Sequence, residues 1–305
     1  MRLVEKARPH GSDGTVDFTM TTRRAFRTLW GRGRLSPLRH LVVAAVVGAV
    51  IANSYATRAA TSSAVAEPVV VAIDPGHGGT NLGAPGRAPR VYEKDVTLAL
   101  ARRIRALLTS DNRPGTPPIV VALCRDADRM LPIRARARCA GEMGAQWFIS
   151  LHANAVPTGV DPASQRGFEV FVLGPREIED DAALAVLSEQ NPSLGVFAAH
   201  EVRAAAEKSI VLARVLAERL THELGFTYWR GVKQSGAALD VLRGTNTPSA
   251  LVEVGFLSHP DEGPALTTTE GQEPIARAIA DAIAALVRSP QGLQPGTQPN
   301  ARPKE

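Results

Sequence analysis

The chain has 305 residues, of which 44% are apolar, 21% charged and 5% aromatic. That composition supplies a packed core and excludes global disorder. The formal charge of +5 would suit a nucleic-acid binder, yet residues 1–66 hold 10 Lys/Arg and 3 Asp/Glu while residues 67–305 hold 25 and 27. The basicity sits in the first fifth of the chain, which argues against nucleic acid as a partner.

The longest uninterrupted apolar run is Leu41 to Ala52, twelve residues, where a bilayer-spanning helix needs about 20. Arg23, Arg24, Arg27, Arg32, Arg34 and Arg39 precede it, and Ser54-Tyr55-Ala56 and Ala64-Val65-Ala66 follow as A-x-A-like cleavage sites. Residues 1–66 therefore read as a basic leader with an export signal, its h-region at 41–52. Thr22-Arg23-Arg24-Ala25-Phe26 resembles a twin-arginine signal; the general secretory route stays open beside it. The expected location is periplasmic or cell-envelope, with membrane contact only through an uncleaved leader.

Val69 to Asp74 is a continuous apolar run ending in Pro-Gly, the pattern of a buried parallel strand. A Gly-rich loop from Gly76 to Gly86 follows. Asp95 is then expected to cap a helix whose apolar face is Val96, Leu100, Ile104, Leu107 and Leu108. Ile119–Leu123 reads as a second strand. Ile133–Met143 reads as a helix with Arg134, Arg136 and Arg138 on its polar side. Trp147–Leu151 and Phe168–Leu173 read as two more strands, Ile210–Leu224 as a helix, Leu251–Val254 as a strand and Ile275–Val287 as a closing helix. Alternating strands and helices predict one α/β domain over 67–288 with a mostly parallel sheet. Ser289–Glu305, rich in Pro, Gln and Gly, is expected to be disordered. The two cysteines, Cys124 and Cys139, permit one disulfide after export, or two reduced, buried thiols.

Polar residues that end or interrupt buried strands carry the chemistry. Asp74-Pro75-Gly76-His77-Gly78-Gly79 closes the first strand, Ser150-Leu151-His152-Ala153-Asn154 the third, and Leu251-Val252-Glu253-Val254-Gly255-Phe256 the last, with Glu93 following the Gly-rich loop. Sites in such sheets collect outside the carboxyl ends of the strands, so these segments should converge. Two His and one Glu are a ligand set of catalytic zinc. Glu253, charged inside an apolar strand, is costly unless it is paired or coordinating something, and it is the candidate carboxylate to take and deliver protons beside the metal-bound water. No Gly-x-Ser-x-Gly elbow is present.

In order and spacing these four motifs resemble the zinc-dependent N-acetylmuramoyl-L-alanine amidases of the amidase-3 type, over roughly residues 69–288. The resemblance implies that His77, Glu93 and His152 hold zinc and that Glu253 is the catalytic carboxylate. It implies a six-stranded sheet flanked by helices, and peptidoglycan as substrate, cut between N-acetylmuramic acid and L-alanine. Asn154 is assigned to substrate binding. Asn81 stands where the family often has an acidic residue, and His259 where Asn usually follows Ser258. Residues 176–209 exceed a minimal connection. Some division-associated members carry a blocking helix here that an activator protein withdraws. A regulatory insert whose carboxylate occupies the open zinc position is one reading; a surface excursion is the other. A peptidase cutting within the stem peptide or a deacetylase could use the same ligand set.

Overall fold

A computed structural model describes residues 67–110, 116–234 and 239–288. The leader with its 41–52 run and the tail at 289–305 lie outside the described residues. Six strands form one sheet: β1 (Val69–Pro75), β2 (Ile119–Leu123), β3 (Trp147–Asn154), β4 (Phe168–Val172), β5 (Trp229–Gln234) and β6 (Ser249–Phe256). Their order is β2-β1-β3-β6-β4-β5. β1, β2, β3 and β6 are parallel, and β4 runs antiparallel to β6 with β5 parallel to β4. The sheet is thus mixed and mostly parallel, as the strand and helix alternation predicts. β5, with its polar Trp-Arg-Gly-Val-Lys-Gln sequence, is the strand that hydrophobic patterning misses.

The helices are α1 (Glu93–Thr109), α2 (Ile133–Glu142), α3 (Pro175–Ser188), α4 (Pro192–Leu224), α5 (Glu262–Leu266) and α6 (Thr269–Arg288). On one face of the sheet α1, α4 and α6 build the main core. Leu100, Ile104, Leu212, Leu216, Ile279 and Ile283 are fully buried there against Val71, Ile149 and Val252. Each such side chain contributes about 1.5–3 kcal/mol through burial. The other face carries a smaller cluster of Ala72, Phe148, Leu251, Leu242 and the Cys124–Cys139 pair under α2. The cysteines form a disulfide, Cα–Cα 5.7 Å, tying the chain just after β2 to α2.

Three expectations need correction. Asp95 does not cap α1: the helix begins at Glu93, Tyr92 is the N-cap, and no side chain caps it. Arg136 does not lie on a polar face of α2 but is buried, because 3.6 residues per turn set it about 200° from Arg134. The 176–209 segment, whose sequence reads as two short helical stretches from Ala182 to Leu187 and from Val196 to Ala206, is more extensive. It is α3 plus the first half of α4, a 33-residue helix that continues into the core.

That hairpin leaves from the end of the sheet remote from Glu253. Ser209 Oγ accepts the N–H of Ser249, the first residue of β6, at 2.8 Å. Leu194 lies 15 residues earlier on α4, about 22 Å further out at 1.5 Å per residue. Of the insert's carboxylates, Asp181 binds Arg243 at 2.9 Å and Gly244 N–H at 2.9 Å, and Glu179 binds Arg203 at 2.6 Å. The reading that an insert carboxylate fills the open metal position does not hold in this structure.

Candidate metal centre

β1 and β3 are neighbours, and both run toward the same edge. β1 ends at Pro75 and hands over to the loop carrying His77. The loop is clamped from below by two buried arginines. Arg125 donates to Pro75 O and Gly76 O, each at 2.8 Å. Arg136 donates to Asp74 Oδ1 at 2.7 Å, to Pro75 O at 2.8 Å and to His77 O. Asp74, fully buried, is completed by the Ser150 hydroxyl at 2.9 Å. So held, His77 adopts φ +62°, a left-handed conformation uncommon for a residue with a Cβ. Strain of that sort persists only where the surroundings over-determine it.

His77, Glu93 and His152 converge, with ligand-type atoms within 4.8 Å of one another, and could hold a metal ion. His77 Nε2 lies 3.0 Å from Glu93 Oε2 and His152 Nδ1 lies 2.8 Å from Glu93 Oε1. The backbone N–H of Ala84 donates to Oε2 at 2.8 Å and that of Ala153 to Oε1 at 3.0 Å, so Glu93 is fixed from both sides. Gly83 makes room for this: its φ is +70°, and a Cβ there would stand 2.6 Å from Glu93 Oε2. The far nitrogen of His77, Nδ1, meets Asn81 Oδ1 at 2.9 Å. This contact orients the ring and turns Nε2 inward.

The electrostatics follow from the packing. Burial works to raise the Glu93 carboxyl, but hydrogen bonds from His152 and then His77 outweigh it and hold Glu93 far below the usual carboxylate range. Burial works to lower His77, but its hydrogen bond and charge contact with Glu93 leave it above the usual imidazole value.

Glu253 stands beside this group because His152 and Glu253 are register partners across β3 and β6 and share a face. Its Oε2 is buried and has no hydrogen-bond partner among the described residues. Burial, then the negative charges of Glu93 and Glu169, push its carboxyl well above the usual range, with Lys233 opposing. Asn154 spends its amide on Glu169 Oε1 at 2.8 Å. His259 lies beyond β6, where its Nδ1 accepts the N–H groups of Asp261 and Glu262.

Asn81, Arg125, Arg136, Glu169, Arg230 and Lys233, to which the sequence alone assigns no role at the site, are brought to it by the structure. Glu169 showed the same signal as Glu253, a carboxylate inside an apolar strand. It is register partner to Glu253 across β4 and β6.

The profile of the Amidase_3 family, described as N-acetylmuramoyl-L-alanine amidase, matches residues 71–285. A probable N-acetylmuramoyl-L-alanine amidase AmiB of Haemophilus influenzae is 30% identical over 240 residues, which is 73% of this chain and 53% of that protein. AmiC of Escherichia coli O6:H1 is 31% identical over 231 residues, covering 72% and 52%. The chain therefore spans about half the length of these curated relatives. Among solved structures, the catalytic domain of CwlV, an amidase from Bacillus (Paenibacillus) polymyxa var. colistinus, superposes with a TM-score of 0.55 at 26% identity. That match covers 72% of this chain and 98% of CwlV.

Proposed function

The chain belongs to the Amidase_3 family of N-acetylmuramoyl-L-alanine amidases, and from that membership we propose that it hydrolyses the amide between N-acetylmuramic acid and L-alanine in peptidoglycan, in cell-wall remodelling or daughter-cell separation. The observation that carries this reading is the convergence of His77, Glu93 and His152 beside the unpartnered, buried Glu253 Oε2.

Two imidazole nitrogens and a carboxylate are a donor set of catalytic zinc, and their mutual spacing within 4.8 Å fits one ion. We therefore assign zinc to His77, Glu93 and His152. Zinc bound there supplies a Lewis acid. The chain's own residues do the rest. Asn81 holds the His77 ring, and Ala84 and Ala153 hold Glu93. Glu253 accepts a proton from the attacking water and delivers it to the nitrogen of the departing L-alanine amine. One amide and one water become one carboxyl and one amine. Asn154, whose amide donates to Glu169 Oε1, is assigned to substrate binding.

The enzyme is assigned to the cell envelope, reached by a twin-arginine or general secretory route through the 1–66 leader. The Cys124–Cys139 disulfide supports an oxidising compartment. Among the described residues no helix is long and apolar enough to cross a membrane. An activator protein is assigned to the 176–209 insert. The support is its tip, where Leu187 is 80% exposed, Phe197 61%, and Leu184, Leu194 and Val196 more than half. Apolar side chains concentrated on one hairpin mark an interaction surface.

The test is digestion of purified sacculi by the protein with and without chelator, the fragments identified by mass. Intact stem peptides with a free L-alanine amine are expected, and chelation should abolish their release. Fragments cut within the stem peptide instead would overturn the assignment in favour of a peptidase. Glu253→Gln should retain metal while losing 100-fold or more in turnover, the order of a general acid–base contribution.

A further inference from the structure

His152, Glu253 and Glu169 stand side by side on β3, β6 and β4, one register step apart. The row continues onto the edge strand β5 in a way that a regular strand would not allow. Residues three apart on a strand face opposite sides of the sheet. Here Phe168 pairs with Trp229 and Val170 with Val232, so Arg230 and Gly231 together oppose Glu169 alone. This is a bulge, and its Gly231 has φ +107°. The extra residue brings Arg230 and Lys233 to the same face. Arg230 Nε donates to Glu169 Oε2 at 3.2 Å, and Lys233 Nζ donates to the same oxygen.

The two cations are not equivalent. Arg230 is spent: its remaining nitrogens donate to Arg166 O at 3.3 Å and to Gln165 Oε1 at 3.0 Å, and its guanidinium lies 4.9 Å from the centroid of Phe256. Among the described residues Lys233 is bound only to Glu169, and it packs 5.4 Å from the Phe171 centroid. An ammonium has three donors, and this side chain is 42% exposed. Arg230, Lys233 and Glu169 together carry one net positive charge. Lys233 pairs with Phe171 and Phe171 with Leu251, so its backbone stands two strands across and two residues along from Glu253, about 12 Å by sheet spacings. Its Nζ reaches back to Glu169, one inter-strand step of about 4.8 Å from Glu253. A peptide advancing about 3.5 Å per residue covers that with the second residue and its carboxylate.

We propose that Lys233, fixed by the β5 bulge against Glu169, forms a carboxylate-binding subsite for the peptide portion of the substrate, one residue beyond the alanine. The inference rests on the amidase reading above and adds which substrate variants the enzyme prefers. A stem peptide whose second residue carries a free carboxylate gains a charge-assisted hydrogen bond. The corresponding carboxamide does not.

The experiment compares two muropeptides that differ only in carboxylate or carboxamide at that residue, using the metal-loaded full chain. The parent enzyme should show a KM about tenfold lower for the carboxylate, with similar kcat. Lys233→Met should erase the KM difference between the two muropeptides, with thermal unfolding reporting an intact fold. Lys233→Arg should restore part of the preference. Equal KM values in the parent, or a preference that survives Lys233→Met, would overturn the subsite while leaving the amidase reading in place. A parent enzyme that cuts neither muropeptide would overturn the amidase reading itself, and the subsite with it.

Discussion

Glu253 shows at the scale of one residue how a site works against the fold that houses it. Its folded carboxyl is raised well above the ordinary value by burial and by the charges of Glu93 and Glu169, while in the unfolded chain it titrates near ~4.3. Between those two values the native state holds a proton that the unfolded state has released. Stability contributed by the protonated form is complete below the unfolded pKa and is lost as pH rises toward the folded one. In metal-free protein, Glu253→Gln should therefore melt higher than the parent at pH 7 and close to it at pH 4, by about 2–4 °C for each kcal/mol recovered. Thermal unfolding at the two pH values reads this directly, and an equal effect at both would contradict it. Asn81 makes the complementary case. Its amide oxygen orients His77, so Asn81→Ala should weaken metal binding by roughly 10–100-fold, measured by competition with a chelating dye. The four principal residues were legible because each ends or interrupts an apolar strand or opens a helix. Arg230 and Lys233 were not, since the bulge that aligns them is a backbone event with no periodicity to read. Arg136 was legible in principle: a helix turns too far in two residues for Arg134 and Arg136 to share a face.

At the scale of elements, the site depends on two features remote from the chemistry. The first is the reversal of β4, which brings its opening residues, and Glu169 with them, to the edge where β1, β3 and β6 end. Alternating strands and helices announce a parallel sheet, but nothing in Phe168–Val172 announces its direction, because a buried strand is apolar either way. The second is the disulfide, which two cysteines permit but do not require. It ties α2 to the chain after β2, and α2 delivers Arg136 to Asp74, Pro75 and His77. Closing a loop across 15 residues stabilises a protein by about 3 kcal/mol in the chain-entropy account. Replacing both cysteines by Ala should cost roughly that amount in denaturant unfolding. The change should also lower metal affinity in the folded protein, because the Arg136 clamp on His77 loses its anchor. Unchanged metal affinity would separate α2 from the positioning of His77.

The whole molecule divides its labour by position. His77, Glu93, His152 and Glu253 gather at the edge where β1, β3 and β6 end. The α3–α4 hairpin leaves from the opposite end, where Ser209 meets Ser249 and Asp181 meets Arg243. Length and composition marked residues 176–209 as an excess segment, but only the packing of α4 shows which way it points. Its buried half, Leu212, Leu216 and Leu220, belongs to the main core, whereas its first half leaves Leu194, Val196 and Phe197 exposed. The hairpin tip can therefore be removed without touching the two clusters packed on the sheet, since its own buried alanines, Ala182 and Ala199, belong to neither. Replacing residues 182–201 with a short Gly-Ser turn should preserve the fold, since Asp181 and Ser209 and their partners remain. Turnover of soluble muropeptides should stay within twofold of the full chain, because no tip residue comes near Glu253. Stimulation by an activator, measured as the rate ratio with and without it on sacculi, should vanish together with the exposed apolar side chains. A tenfold rise in the basal rate on excision would show that the hairpin blocks the site in solution and would overturn the placement argued from Ser209 and Asp181.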